Sequence, residues 1–396
     1  MHQALFIAYD FPPCQSMGGA LRSAKFIKYL PEFGWEGLVV SLKDETLHTA
    51  EHNPNLIRLR SATPYTKPYH LAPYGWAYNL YWHIKKQLKV RQVQLIYVSC
   101  PPFPQAVAAW LLKKASHLPL VVDFRDAWTI NPLSEKKRVA RLISQTIFPR
   151  LEKRILTRAD AFITNTPSML RSYAQLYPDI QDKMTLIPNG FDEIDFPDSI
   201  LTINNQDMIL LHCGRFAVSG RDPSLLFHSL KVLTAQGCRL KLHLLGEDND
   251  TIQQRVTAFG LEKIVTVTEP VPHQEAIRQM YRADILVIYQ DKSAITPVSP
   301  VAGKTYEYLR VGKPVLAIAP SGDNLNIVKQ YAPRYEAIND YTEASVTQAI
   351  NHLYVDWKKG LRPSGSDSSQ KPAYIENYNR RALTQKLAQV FDSVIK

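Results

Sequence analysis

The sequence predicts two doubly wound α/β domains, and three observations carry that reading. A short apolar run, Ala4–Ala8, gives way to the turn cluster Asp10–Pro13, the glycine pair Gly18 and Gly19, and the helically spaced stretch Ala20–Leu30. The same order of strand, Gly-bearing loop and helix starts again at Ile209–Cys213. Between the two starts lies a polar segment, Asp192–Asn205, and a chain of 396 residues suits two domains of similar size. The expected division is 1–190 for the first domain, 191–206 for a linker and 207–374 for the second domain.

Composition narrows the class. An apolar fraction of 45% is enough for two cores, and 47 Lys and Arg against 36 Asp and Glu leave a net charge of +11. Such an excess favours anionic partners: nucleic acid, a membrane surface or phosphorylated small molecules. Cys14, Cys100, Cys213 and Cys238 are scattered and form no CxxC pair, which argues against a disulfide framework or a zinc site and for a reduced, cytoplasmic setting. The start, MHQALFIAYDFPP, has no cationic lead and is cut by Asp10, so it reads as a first strand rather than a signal peptide. No apolar run approaches the roughly 20 residues that span a bilayer, so membrane contact is expected to be peripheral at most, on the inner face of the plasma membrane.

In the first half, Gly18 and Gly19 allow a ligand close to the backbone, and Arg22 in the first helical turn points to the same crevice. Gly37–Leu42 reads as the second strand. From His52 to Val122 there is no Asp or Glu, whereas Arg58, Arg60, Lys67, Lys85, Lys86, Lys89, Arg91, Lys113 and Lys114 alternate with Tyr65, Tyr69, Tyr74, Trp76, Tyr78, Tyr81 and Trp82. Cations beside Tyr and Trp suit anionic head groups. They also suit single-stranded nucleic acid. The plainer alternative is a helix whose aromatic side packs inward. Strands at Gln94–Val98 and Leu118–Val122 end in SCPPFPQ and DFRDAWT, and polar residues at such strand ends face the functional crevice. Asp123, Arg125 and Asp126 are thus candidates, although an Asp and an Arg this close can also pair and brace their own loop. Arg138–Arg158 has the pattern of a surface helix interrupted at Pro149.

In the second half, GRFAVSGRDP follows the strand Ile209–Cys213, so Arg215 and Arg221 flank a loop opened by Gly214. Two guanidiniums can neutralise a pyrophosphate. Asp248 and Asp250 form a DxD triplet, but three residues at a strand end are weak grounds for a metal, and none is expected. The stretch SPVAGKTYEYLRVGKPVLAIAP then carries the densest chemistry. A Pro- and Gly-bearing loop reaching Gly303 feeds the helix Lys304–Val311, Gly312 stops it, and Pro314–Ala319 is a buried strand. The helix N-terminus and Lys304 suit phosphate oxygens, and Glu307 one turn on suits the vicinal hydroxyls of a ribose.

These motifs resemble one family. GKxxEYLxxGKPVL is similar to the donor-site motif of the retaining GT-B glycosyltransferases, glycosyltransferase family 4, and DFPPxxxxGGxxR, PNGFD and GRxxxxGR resemble other signatures of that family in the expected order. The resemblance implies facing Rossmann-like domains, with a C-terminal helix, about 375–396, crossing back to the first. It implies donor binding by Gly18, Gly19, Gly214, Val271, Pro272, Ser299, Gly303 and Glu307, with Glu307 on the ribose and Val271 and Pro272 on the base. Catalysis would rest on Arg215, Arg221 and Lys304, with Asp126 in the acceptor region, and Arg22, Ser99 and Arg125 would meet the acceptor. The implied reaction moves a hexose from a nucleoside diphosphate sugar to an acceptor hydroxyl with retention, in polysaccharide or glycolipid synthesis. No cofactor is implied. The expected partners are the donor, a glycan or lipid-linked acceptor and an anionic membrane surface, not nucleic acid.

Two departures stand out. Ser99 occupies a place where similar proteins often carry His, and Ser299 stands where the EX7E form of the motif has its first Glu. A nucleotide-sugar epimerase of the same fold and a basic nucleic-acid-binding protein are the rival readings.

Overall fold

A computed structural model describes residues 1–13, 18–43, 53–63, 71–88, 92–130, 143–197, 204–216, 222–246, 250–292, 298–361 and 375–395. The chain divides into two compact units, one of Met1–Asn189 with Arg380–Lys396 and the other of Gly190–Asn379.

The first unit is built on seven parallel strands: β1 (His2–Ile7), β2 (Trp35–Leu42), β3 (Leu56–Leu59), β4 (Leu95–Cys100), β5 (Leu120–Phe124), β6 (Ala161–Thr164) and β7 (Met184–Leu186). Their spatial order is β3-β2-β1-β4-β5-β6-β7, so the winding reverses between β1 and β4. β4 and β5 are buried at every position, which is why their openings, LIYV and LVV, read as apolar runs rather than alternating ones, with Ser99 and Asp123 as buried polar exceptions near their carboxyl ends. The helices are α1 (Gly18–Tyr29), α2 (Ala72–Gln87), α3 (Pro104–Ser116), α4 (Phe148–Arg158) and α5 (Pro167–Leu176).

Gly18 and Gly19 are the first residues of α1 rather than part of a loop ahead of it, so the helix begins two residues before the expected Ala20. Residues 138–142 lie outside the described residues, and the helical stretch changes from a π-type to an α-helical turn beside Pro149. That proline sits in the first turn of α4, where a missing N–H costs nothing, after the π-type turn at Ile143–Ile147.

The second unit repeats the plan with β8 (Met208–Cys213), α6 (Ser224–Ala235), β9 (Leu240–Leu245), α7 (Asp250–Phe259), β10 (Val265–Thr268), α8 (His273–Arg282), β11 (Ile285–Tyr289), α9 (Gly303–Val311), β12 (Val315–Ile318), α10 (Asp323–Tyr331), β13 (Tyr335–Ile338) and α11 (Glu343–Lys358). The order β10-β9-β8-β11-β12-β13 is again all parallel, with its reversal between β8 and β11. Ligands of such sheets bind beyond the carboxyl ends of the strands that flank this reversal.

The last helix, α12 (Arg380–Val394), belongs to the first unit. Leu383, Leu387 and Phe391 are buried there, and the Phe391 ring lies 5.1 Å from Trp35 and 5.8 Å from Tyr97, centroid to centroid. Trp35 Nε1 donates to Asp392 Oδ1 at 2.9 Å. Each such buried side chain contributes about 1.5–3 kcal/mol, enough to hold the chain end on α1 and β2.

Candidate active site

Several candidate groups of the second unit collect at the β8/β11 reversal. His212, the penultimate residue of β8, is fully buried, and its Nδ1 lies 2.9 Å from the Val287 carbonyl of the neighbouring β11. A carbonyl only accepts, so Nδ1 carries the proton and Nε2 presents a lone pair. Lys304 Nζ donates to that lone pair at 3.0 Å. A neutral imidazole thereby seats an ammonium at the carboxyl end of the sheet.

The space around this ammonium is made by two glycines. Gly214 follows β8 at φ 100°, and a Cβ there would stand 3.0 Å from Lys304 Nζ. Gly246 follows β9 at φ 96°, and its Cβ would stand 3.2 Å from the Gly214 Cα, where backbone cannot give way. Gly246→Ala combines a positive φ with that clash and should destabilise the unit by about 1–3 kcal/mol. A fall in the urea midpoint of unfolding, with donor binding weakened in parallel, is the check.

Lys304 lies in the first turn of α9. The preceding Ala302 offers no side-chain oxygen to the first N–H groups, and a Cβ on Gly303 would meet nothing within 4 Å. The positive end of the helix therefore opens on the same space as the ammonium. Gly312, at φ 72°, ends α9 with its N–H on the Tyr308 carbonyl, as the sequence suggested.

Glu307 lies one turn beyond Lys304. Its Oε1 accepts from His273 Nε2 at 2.8 Å, and His273 Nδ1 is 3.5 Å from Asp195 Oδ2. Burial pushes the Cys213 thiol up to about 12, with Lys304 opposing and Glu307 adding to the rise, so both charges of α9 are felt at the end of β8. Tyr308 Oη accepts from the Cys213 backbone N–H at 2.9 Å and ties the helix to that strand end.

The other residues expected at a donor are placed as follows. Arg215 is exposed directly after Gly214, and Ser299 packs against Gly322, whose Cβ would overlap its Oγ. Val271 is half-buried against the core, and the exposed Pro272 caps α8. Arg221 and Asp248 lie outside the described residues.

In the first unit the outcome differs. Arg22 does not face a crevice: it is 0% exposed, with Nε 2.8 Å from Asp123 Oδ2 and Nη2 3.2 Å from Asp123 Oδ1. Its remaining N–H groups donate to the carbonyls of Ile187 and Pro188, each at 2.8 Å, and to Asn189 Oδ1 at 3.3 Å. Arg22 is thus a structural brace, contrary to the expectation that it points into the crevice. Asp123 likewise pairs with Arg22 and the Tyr97 hydroxyl, not with its near neighbour Arg125. Ser99, expected near the acceptor, is buried in β4 at 2% exposed.

Arg125 is half-buried, its Nη2 donating to the Pro101 carbonyl at 2.5 Å, and Asp126 beside it is exposed. Desolvation by surrounding protein nevertheless raises the Asp126 carboxyl, with Arg125 opposing. Their loop is held from beneath by Glu152 of α4, which accepts from the Thr129 N–H and hydroxyl and from the hydroxyls of Tyr173 and Tyr177.

His212, His273 and Gly246 did not emerge from the sequence. A histidine inside an apolar strand reads as core, and His273 is marked only by following Val271 and Pro272.

Residues 17–193 match Glycosyltransferase Family 4, and residues 194–364 match Glycosyl transferases group 1. The chain belongs to the GT-B glycosyltransferases of family 4. No curated protein matches the sequence. Among solved structures, sucrose-phosphate synthase from Thermosynechococcus elongatus is similar with a TM-score of 0.74 and 17% identity, covering 99% of both chains. A glycosyltransferase from Rickettsia africae gives 0.73 and 13%, covering 100% of this chain and 99% of its own. The Anabaena protein HepE, in complex with UDP and glucose, gives 0.69 and 17%, covering 99% and 100%. At these identities the likeness shows the fold.

Proposed function

We propose that this family 4 glycosyltransferase moves a hexose from a nucleoside diphosphate sugar to an acceptor hydroxyl, with retention at the anomeric carbon, in the synthesis of a polysaccharide or glycolipid. One observation carries the reading. The Lys304 ammonium, seated on neutral His212 beside Gly214 and Gly246, stands one helical turn from the Glu307 carboxylate. A diphosphate requires the first group and a ribose diol the second.

The chemistry follows from charge. As the bond from the anomeric carbon to the diphosphate breaks, negative charge grows on the leaving oxygens. Lys304, the α9 dipole and Arg215 offset it, and Arg221 is the second guanidinium of the proposed set. Fixed protein cations do this without reorganising at the moment of reaction. Glu307 binds the ribose hydroxyls with its carboxylate while His273 engages Oε1; a carboxylate has about four lone-pair positions, so the two can coexist.

HepE was solved with UDP, which makes uridine the first nucleotide to test. Thermal unfolding in the presence of UDP, GDP or ADP should show strong protection by one of them, by about 2.7 kcal/mol at a hundredfold excess over Kd. Absence of protection by all three would sink the donor-site assignment. An epimerase would instead convert the donor sugar with no acceptor present, which NMR of the protected complex distinguishes.

A further inference from the structure

We propose that the outer side of α2, continued by α3 and α4, docks on a bilayer surface that carries anionic head groups. α2 has two unlike sides. Trp76, Leu80 and Ile84 are buried in the first unit, each at most 1% exposed. On the other side, Tyr74, Tyr78 and Trp82 follow at four-residue spacing with exposures of 49%, 62% and 48%, and Leu71 precedes them at 55%. Of the aromatics on the exposed and buried sides, Trp76 alone packs fully inward, so packing into the core does not account for the stripe.

Its chemistry is that of a membrane interface. Tyr and Trp join a flat apolar body to a polar edge, the combination enriched at head-group depth. Lys85 Nζ lies 5.3 Å from the Tyr81 ring centroid and 5.5 Å from that of Trp82, so a cation rides on the aromatics themselves. Lys86 is exposed one turn beyond Trp82.

α3 packs against both α2 and α4 and extends the same character. Its half-buried Trp110 is flanked by Lys114 at 5.2 Å and by Arg154 of α4 at 5.5 Å, and α4 further exposes Arg150, Lys153 and Arg158. The three helices hold a single carboxylate, Glu152, which is fully buried. Asp160, just past α4, is taken by Lys113 at 2.5 Å. A face of exposed cations and interfacial aromatics with no outward acid complements an anionic lipid surface, which attracts each nearby cation severalfold. Among the described residues no helix is long and apolar enough to cross a membrane, so this contact is one of surface docking.

The test is flotation of the full chain with phosphatidylcholine vesicles, with and without phosphatidylglycerol. Binding is expected only with phosphatidylglycerol and should weaken as salt rises. Lys85→Glu/Lys86→Glu should weaken it by about fivefold or more per cation. Tyr78→Ser/Trp82→Ser should also weaken it, while Lys231→Glu/Lys263→Glu, the same change of net charge on exposed lysines of the second unit, should leave it unchanged. Failure to float with anionic vesicles overturns the proposal. So does equal loss in the control pair, which would mean net charge alone, or displacement from vesicles by oligo(dT) at stoichiometric amounts, which would mean a nucleic-acid surface. Nucleotide protection should be identical in all three variants, so the outcome is independent of the sugar-transfer reading.

Discussion

Lys304→Met should lower kcat for sugar transfer on the order of a hundred- to a thousandfold, a loss of about 3–4 kcal/mol of transition-state stabilisation, with a smaller change in KM. The split follows from where charge develops. The ground-state donor already holds its diphosphate charges, but the bridging oxygen gains a further share only as the glycosidic bond breaks. His212 acts on this reaction only through the place it gives the ammonium. His212 is locked with Nδ1–H on the Val287 carbonyl, so its lone pair can point only along β8 toward Lys304. His212→Leu should therefore cost less than Lys304→Met. The pair should be strongly non-additive, because a histidine acting through Lys304 has nothing left to position once the ammonium is gone. Kinetics of the two single variants and the double variant measure this. If Lys304→Met turns over normally, the electrostatic account of leaving-group departure fails.

The fold was legible because both units announce themselves in apolar runs. β4, β5 and β11 are buried at every position and β8 at all but Ile209, and each opens on a run of apolar residues. The α9 site was legible for a different reason: a loop, a Lys, a Glu one turn on and a terminal Gly fall within a dozen residues, so local sequence carries most of the geometry. What escaped was non-local. His212 acquires meaning only because β11 lies beside β8, bringing a carbonyl 75 positions away to its Nδ1. His273 reaches Glu307 across 34 residues. Arg22 failed in the opposite sense. An arginine in the first turn of a helix after a glycine pair reads as a ligand-binding group, and nothing local reveals that Asp123, 101 residues on, claims it.

Arg22→Met should destabilise the first unit by about 3–5 kcal/mol. Burial, the largest single influence on this guanidinium, works against its charge, yet Asp123 and Tyr97 more than compensate and its affinity for the proton is raised. Methionine fills much of the same volume but leaves the Asp123 carboxylate at 0% exposure with its cation gone, and the Ile187 and Pro188 carbonyls lose a donor. The cost is that of an uncompensated buried charge rather than of a missing contact. Five of the six tryptophans, Trp35, Trp76, Trp82, Trp110 and Trp128, lie in the first unit, so urea unfolding followed by fluorescence reports mainly on the affected half. The midpoint should fall sharply. Arg22→Met/Asp123→Leu should recover much of the loss, since removing both charges leaves nothing to desolvate. An acceptor-binding arginine would behave otherwise: its removal would raise KM for the acceptor at unchanged stability, and the double variant would restore nothing.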